Sequence, residues 1–279
     1  MISRVPENYT VRIEPLQGWE PLKLRDIWEY RELLYFLIWR DIKVSYARTN
    51  LGVGWAVLKP VLTMAVFTFI FGWLTQLPSD GVPYPIFVYS ALLPWQLFAR
   101  LVAGSGSSMV ANENLVTKVY FPRLIAPLSI TVAGTLDFVI AFGVLLGMMW
   151  YYQIALTPAV WVLPLLVVVT IAAGLGVGLW MAALNVLCRD IGHALPFLTQ
   201  IWLFATPVIY PTSLIPEAWR MLYALNPMAG VVEGFRVALF RTEGQSGSMI
   251  GLSLIVAGLL LVSGLYVFRR MEQTIADTV

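Results

Sequence analysis

Long runs without a single charged residue set the first constraint on this chain. Segments 61–77, 82–99, 124–136, 138–187 and 246–268 contain no Asp, Glu, Lys or Arg. A helix needs about 20 mostly apolar residues to cross the hydrocarbon of a bilayer, and the helices of a soluble core rarely stay uncharged for that length. The runs lack the period-2 alternation of outer-membrane barrel strands, and their Leu, Ala, Met and Gly content suits helices. Hydrophobic residues make up 59% of the 279 and charged residues 12%, against roughly 45–50% and 25% in soluble domains. The chain reads as an all-α membrane protein with six transmembrane helices, near 53–77, 85–111, 122–152, 157–187, 191–210 and 248–268.

Orientation follows from lysine and arginine. Arg4, Arg12, Lys23, Arg25, Arg31, Arg40, Lys43, Arg48 and Lys59 lie before the first span or at its start. Lys118, Arg123, Arg189, Arg269 and Arg270 fall at connections or ends on the same side, which makes fourteen of the eighteen basic residues. The opposite connections 78–84 and 153–156 hold none, and segment 211–247 holds Arg220, Arg236 and Arg241. By the positive-inside rule both termini are expected in the cytoplasm. Residues 1–32 are polar and broken by Pro6, Pro15 and Pro21. They show no basic start leading into an apolar run, so a cytoplasmic tail is expected rather than a cleaved signal peptide.

Several chemistries are disfavoured. Cys188 and His193 are the sole Cys and His, so neither an intrachain disulfide nor a Cys/His metal site is expected. None of Lys23, Lys43, Lys59 and Lys118 follows a glycine, so the G-x-x-x-x-G-K-[ST] phosphate loop is absent, as are G-x-S-x-G and H-E-x-x-H. No catalytic residue, no bound cofactor and no nucleic-acid partner is expected. If ATP drives the protein, another subunit binds it.

Three local features carry information. Segment 33–48 reads as a helix, with Tyr35, Ile38, Trp39, Ile42 and Tyr46 within an arc of about 100° and Arg40, Asp41, Lys43 and Arg48 over much of the remainder. Such a helix suits the membrane surface, as a simple anchor or as a gate whose basic groups meet a lipid phosphate. Next comes Thr49-Asn50-Leu51-Gly52-Val53-Gly54-Trp55 and then Lys59-Pro60. Its two glycines let the chain turn from the surface into a span. Loop 112–123 mixes polar and apolar residues, and Leu115, Val119 and Phe121 are too many apolar groups to hide in so short a connection. A short surface helix that offers them to another protein would account for this.

Inside the spans, Arg100 and Asp137 are the two ionisable groups. Their depths are roughly 18 and 22 Å from the cytoplasmic ends at 1.5 Å per residue. They are read either as a structural pair or as channel-lining groups. The chain has 11 Trp, 12 Tyr and 14 Phe. Many belong to interfacial belts; Trp95, Phe98, Trp202 and Tyr210 are candidates to line a channel. Small residues recur in Ala103-Gly104-Ser105-Gly106-Ser107-Ser108, Gly143-x-x-x-Gly147 and Gly174-x-Gly176-x-Gly178, where helices can approach closely.

The chain resembles the permease subunits of ABC-2-type bacterial polysaccharide exporters, which handle O-antigen, capsule and teichoic-acid glycans. The resemblance rests on Leu51-Gly52-Val53-Gly54-Trp55 with Lys59-Pro60, on Leu93-Pro94-Trp95, on loop 112–123, on Asn185 to Asp190 with its Arg189-Asp190 pair, and on Asn226-Pro227. It runs from about residue 33 to 270, and the order and spacing of the motifs carry it. It implies a homodimer bearing two separate ATPase subunits that hold ATP and Mg. The cargo is a lipid-linked polysaccharide, moved outward across the inner membrane. Loop 112–122 would be the coupling element, with Asn112, Glu113, Asn114, Leu115, Lys118 and Tyr120 on the ATPase and Arg189 and Asp190 in support. The in-plane helix, 33–50, and its turn would place Arg40, Lys43, Tyr46, Arg48, Leu51 and Gly52 at the lipid pyrophosphate. Segment 211–247 would form short re-entrant helices before the last span, with Pro207, Pro211, Pro216 and Pro227 punctuating 206–228. The tails 1–32 and 271–279 receive no role. Three other readings are an ABC-2-type exporter of a small molecule, an ion-coupled secondary transporter, which would show an internal repeat, and a membrane-embedded glycosyltransferase.

Overall fold

A computed structural model describes residues 24–47, 50–240 and 246–278. Arg48 of the expected gate, residues 1–23 of the expected tail and Arg241 lie outside these. Among the described residues there is no strand. In chain order the helices are α1 (Leu24–Glu29), α2 (Arg31–Tyr46), α3 (Gly54–Phe67), α4 (Tyr84–Ala111), α5 (Glu113–Lys118), α6 (Ile125–Tyr151), α7 (Leu163–Leu187), α8 (Asp190–Phe204), α9 (Glu217–Tyr223), α10 (Pro227–Phe240) and α11 (Ser246–Thr278). A π-helical segment, Thr68–Leu74, prolongs α3, and a 3₁₀ turn, Pro158–Val162, leads into α7.

Five of the uncharged runs become helices long and apolar enough to span a membrane: Gly54–Leu74, Tyr84–Ala111, Ile125–Tyr151, Pro158–Leu187 and Gly247–Met271. The run 191–210 differs. As a helix it stops at Phe204, and its 15 residues give about 22 Å, short of the roughly 30 Å hydrocarbon thickness. The chain nevertheless continues alongside α4, in the opposite direction. Leu195 lies against the bare Gly106, Trp202 meets Phe98 edge-on at 5.0 Å, and the Tyr84 hydroxyl donates to the Ile209 carbonyl at 2.8 Å. From Gly106 to Tyr84, α4 rises about 33 Å.

The central helix is α4, packed on α3, α6, α7, α8 and α10. Its buried residues include Phe87, Tyr89, Phe98 and Leu101. Glycines set how closely its neighbours approach. A Cβ on Gly174 or Gly178 would collide with Leu101 or Ser105 of α4, and one on Gly176 would meet the α11 backbone at Leu260. One Gly-x-Gly-x-Gly run thus seats α7 between two helices, because i and i+4 share a face and i+2 does not. Among the described residues, nothing lies within 4 Å of where a Cβ on Gly143 or Gly147 would stand.

The α3 helix is the least covered span. Leu62, Val66, Phe69 and Trp73 project from it uncovered. The ends of the bundle differ in character. One, the basic end, gathers α2, α5, the end of α4 and the α7–α8 turn. The other holds α9 and the turns around 78–83 and 205–216.

At the basic end, α2 packs on α6. Its covered side is not the aromatic arc read from the wheel. Leu37 is buried, Leu33 and Leu34 are partly so, and Tyr35, Phe36 and Trp39 are exposed. Arg40 and Asp41 also turn inward. The Arg40 guanidinium donates to Asp41 at 2.7 Å and to the Asn112 side-chain oxygen at 2.7 Å, and Ser129 donates to Asp41 at 2.8 Å. A helix apolar nearly all round has no single face to hide, so specific polar contacts choose one.

Candidate functional site

A cavity of about 1070 Å³ opens between the end of α2, the first turns of α3, and the middles of α4 and α6. Ser45, Tyr46, Lys59, Thr63, Gln96, Arg100 and Asp137 are among its polar groups; Leu62, Leu93, Leu97, Phe138 and Ala141 are among its apolar walls. Arg100 and Asp137 form an ion pair across α4 and α6. The Tyr46 hydroxyl donates to the same carboxylate, so the end of α2 is tied to the interior pair. Arg100 and Asp137 thus pair and also border the cavity. The Arg100 side chain passes close over Gly134 of α6, where an added Cβ would stand 3.4 Å from its Cδ.

The α2–α3 turn borders this cavity. Gly52 has φ +51°, a conformation that costs other residues strain, and the Gly54 and Trp55 amides bond back to Leu51 and Gly52 at 2.8 and 3.3 Å. Of the expected gate residues, Tyr46 lines the cavity and Gly52 shapes the turn. Arg40 is held by Asp41 and Asn112, Lys43 lies over the Trp39 ring at 5.4 Å, and Leu51 is exposed.

The expected coupling residues share the basic end. Helix α5 forms, but it hides more than expected: Phe121 and Val116 are buried and Leu115 is partly so, in a cluster with Leu37, Met109 and Ile125. The surface it presents consists of Asn114, Thr117, Lys118, Val119 and Tyr120. Asn112 is buried and serves the fold, accepting from Arg40 and donating to the Ser108 carbonyl at 2.8 Å. Arg189 reaches Glu113 at 3.7 Å, and Asp190 is exposed beside it. Asn185 sets that turn, bonding the Gly106 carbonyl at 3.1 Å and the Gly192 amide at 2.9 Å.

The candidate aromatic path is interior within one chain. Trp95 and Phe98 are buried and pack together at 5.4 Å, with Trp202 against Phe98. Trp202 also donates to Asn226 at 3.1 Å. Tyr210 shares a hydrogen bond with the Tyr223 hydroxyl. Burial first, then Tyr210, pushes the Tyr223 phenol above its usual range, so it stays protonated. None of the four borders the cavity.

Sequence reasoning passed over Arg236 as one more loop cation. Its side chain is 2% exposed, donates to the Val208 and Tyr210 carbonyls at 2.9 and 3.2 Å, and lies over the Phe87 ring at 3.7 Å. Glu233 and Asp80 offset its charge. It clamps the 208–210 turn to α10 and α4. The available signal was an Arg three residues after a Glu in an otherwise apolar helix. Arg236→Met is expected to leave the buried Val208 carbonyl and the half-buried Tyr210 carbonyl without this donor, lowering stability by about 2 kcal/mol. Arg236→Lys cannot reproduce the fork and is expected to recover under half of that loss. Thermal unfolding of the purified protein measures both.

Residues 32–240 match the family model described as ABC-2 type transporter. The chain is 30% identical to the O-antigen export system permease protein RfbA of Myxococcus xanthus, over 92% of this chain and 98% of that one. It is 28% identical to RfbA of Klebsiella pneumoniae, covering 88% and 94%. It is 24% identical to the polysialic acid transport protein KpsM of Escherichia coli, covering 85% and 92%. With a multi-pass bundle and a family match across most of its length, the chain belongs to the ABC-2 type transporter family.

Proposed function

We propose that this chain is the membrane half of an ATP-driven exporter that moves a lipid-linked polysaccharide, with O-antigen on a polyprenyl pyrophosphate as the specific cargo, from the cytoplasm to the outer face of the inner membrane. The observation that carries the reading is full-length similarity to two permeases named for O-antigen export. ATP and Mg belong to two separate ATPase subunits, and two copies of this chain form the membrane unit. The uncovered apolar side chains of α3 leave it free to meet a second copy or lipid.

In this reading the basic end faces the cytoplasm, and α2 lies along the membrane surface among anionic lipids. Both termini are cytoplasmic, and 190–210 completes a sixth crossing. The run of 190–210 along α4 supports that count, because α8 starts at the basic end and Arg269 and Arg270 return α11 to it. Helices α9 and α10 then form the re-entrant segment. Deleting the gene is expected to strip the glycan from the cell surface while lipid-linked polymer accumulates inside. Unchanged surface glycan would refute the cargo.

The α5 face with Glu113 and Arg189 would receive the ATPase. The Arg189 and Glu113 side chains are 72% and 40% exposed, and such a pair is worth about 0–1 kcal/mol to folding. Arg189→Glu is therefore expected to leave the unfolding temperature unchanged. It should weaken ATPase binding about ten-fold, or ~1.4 kcal/mol. Co-purification titrated against the ATPase measures this, and undiminished binding would remove Arg189 from the interface.

A further inference from the structure

We propose that the π-helical segment Thr68–Leu74 at the end of α3 is a register switch. By rewinding as an α-helix, it displaces Tyr84 of α4 and frees the 208–210 turn. The use of that movement, to open this end of the bundle for cargo, rests on the export reading; the switch itself does not.

Hydrogen bonding shows two windings in competition. An α-helix closes its bonds over four residues and a π-helix over five; π turns are rare and recur at functional sites. Here the Thr75 amide and hydroxyl both donate to the Ile70 carbonyl, five residues back, at 3.0 and 2.8 Å. Where the π winding begins, the Thr68 amide is divided between the Ala65 and Met64 carbonyls. The Thr68 hydroxyl is buried without a hydrogen-bond partner among the described residues. Thr63, Thr131, Thr135, Thr170 and Thr199 each donate to the carbonyl four residues back at 2.8–2.9 Å. An α winding offers Thr68 the same bond, to Met64, and gives up that of Thr75 to Ile70. One threonine favours each form, which keeps the two close in free energy.

Packing connects the winding to the 208–210 turn. The π segment lies on the start of α4. A Cβ on Gly72 would stand 2.7 Å from Cδ1 of Tyr84 and 2.9 Å from its Cγ, so the ring fits there because position 72 has no side chain. The Tyr84 hydroxyl donates to the Ile209 carbonyl at 2.8 Å, between the Val208 and Tyr210 carbonyls that Arg236 holds. Rewinding over four residues instead of five turns the end of the segment by about one residue, roughly 100°. Phe71 then comes to the place of Gly72, where its ring and that of Tyr84 cannot both fit. Tyr84 moves aside and its bond to Ile209 breaks. On the other side of the segment, Phe69 and Trp73 stack at 5.4 Å with both rings exposed, which leaves room for the turn. A packed element with two discrete arrangements is what converts a small local change into a larger movement.

The test follows amide hydrogen exchange of the full-length protein in nanodiscs, alone and with its ATPase partner trapped by ATP and vanadate. In wild type, peptides covering 68–77 and 206–212 are expected to change together on trapping, by about three-fold or more. Deleting Phe69 removes the extra residue and leaves an α winding with Gly72 still at Tyr84. This variant is expected to fold with an unfolding temperature no lower than wild type. Its exchange at 70–77 should slow by about five-fold, and neither peptide should respond to trapping. Gly72→Leu keeps bulk on Tyr84 and is expected to speed exchange at 206–212 by about five-fold in the protein alone. Gly143→Leu is the control, since nothing lies within 4 Å of a Cβ there, and it should leave that peptide unchanged. A Phe69 deletion that fails to fold, or that responds to trapping as wild type does, overturns the switch. So does a Gly72→Leu protein that exchanges like Gly143→Leu. A wild-type chain whose two peptides respond together, yet which moves no O-antigen, keeps the switch and loses the export reading.

Discussion

Replacing Asp137 with Asn is expected to be among the most damaging single changes to this protein. The substitution keeps the shape but removes the charge that Arg100 faces in the interior of the bundle. Breaking a buried pair by removing one partner typically costs 3–5 kcal/mol, because the other charge stays behind. The Arg100 side chain is 35% exposed and that of Asp137 is 15%, so the lower figure, about 3 kcal/mol, is expected. Tyr46 weakens the loss only slightly: its hydroxyl keeps an amide oxygen to donate to, but not a charged one. The double variant Arg100→Met, Asp137→Leu removes both charges and is expected to come within about 1 kcal/mol of wild type, since apolar replacements of buried pairs are often neutral. Thermal unfolding in detergent of wild type, Arg100→Met, Asp137→Leu and the double variant measures the cycle. If the double variant is no more stable than either single one, the two residues do not act as a pair.

Gly176→Ala is expected to be the second. One added methyl would stand 2.5 Å from the Leu260 carbonyl carbon and 2.6 Å from the Leu261 nitrogen. Both are backbone atoms of α11, so no side chain can swing aside, and the α7–α11 crossing must open along its length. Overpacking a core usually costs about 1–3 kcal/mol, occasionally more; backbone on both sides puts this case at about 3 kcal/mol. Gly176→Val should leave little folded protein. Gly258, also on α11, has open space beside it, so Gly258→Ala is the matched control and should unfold within a degree or two of wild type. Yield and unfolding temperature in detergent report the contrast. Equal behaviour of the Gly176 and Gly258 variants would mean that this crossing is not tightly packed.

Much of the fold was legible because apolar length is a property of the chain itself. The run read as 85–111 folds as Tyr84–Ala111, that read as 157–187 as Pro158–Leu187, and that read as 248–268 as Gly247–Met271. Depth along a helix is likewise arithmetic, which puts Arg100 and Asp137 at similar levels, and the fold pairs them. What stayed hidden depends on where the backbone bends. Arg236 finds carbonyls of Val208 and Tyr210, acceptors that every residue type carries, so no side-chain pattern announces them. The helix α8 ends at Phe204 although the apolar run goes on, because the chain turns there to meet Asn226, which donates to the Ala205 carbonyl at 3.3 Å. Arg40 and Asp41 looked like solvent-facing charges, yet Asn112 and Ser129, some ninety residues or fewer away in the chain, draw them inward. The cavity beside Lys59 exists only once three helices are placed.

The most direct measurement is export by the reconstituted complex. The full-length protein and its ATPase partner are placed in proteoliposomes with a lipid-linked O-antigen polymer, and glycan on the far leaflet is followed after ATP is added. Appearance of glycan that requires ATP, the ATPase and this chain together is the expected result. Movement of the polymer with the ATPase omitted, or no movement when an assembled complex hydrolyses ATP in the presence of that polymer, would contradict the assignment.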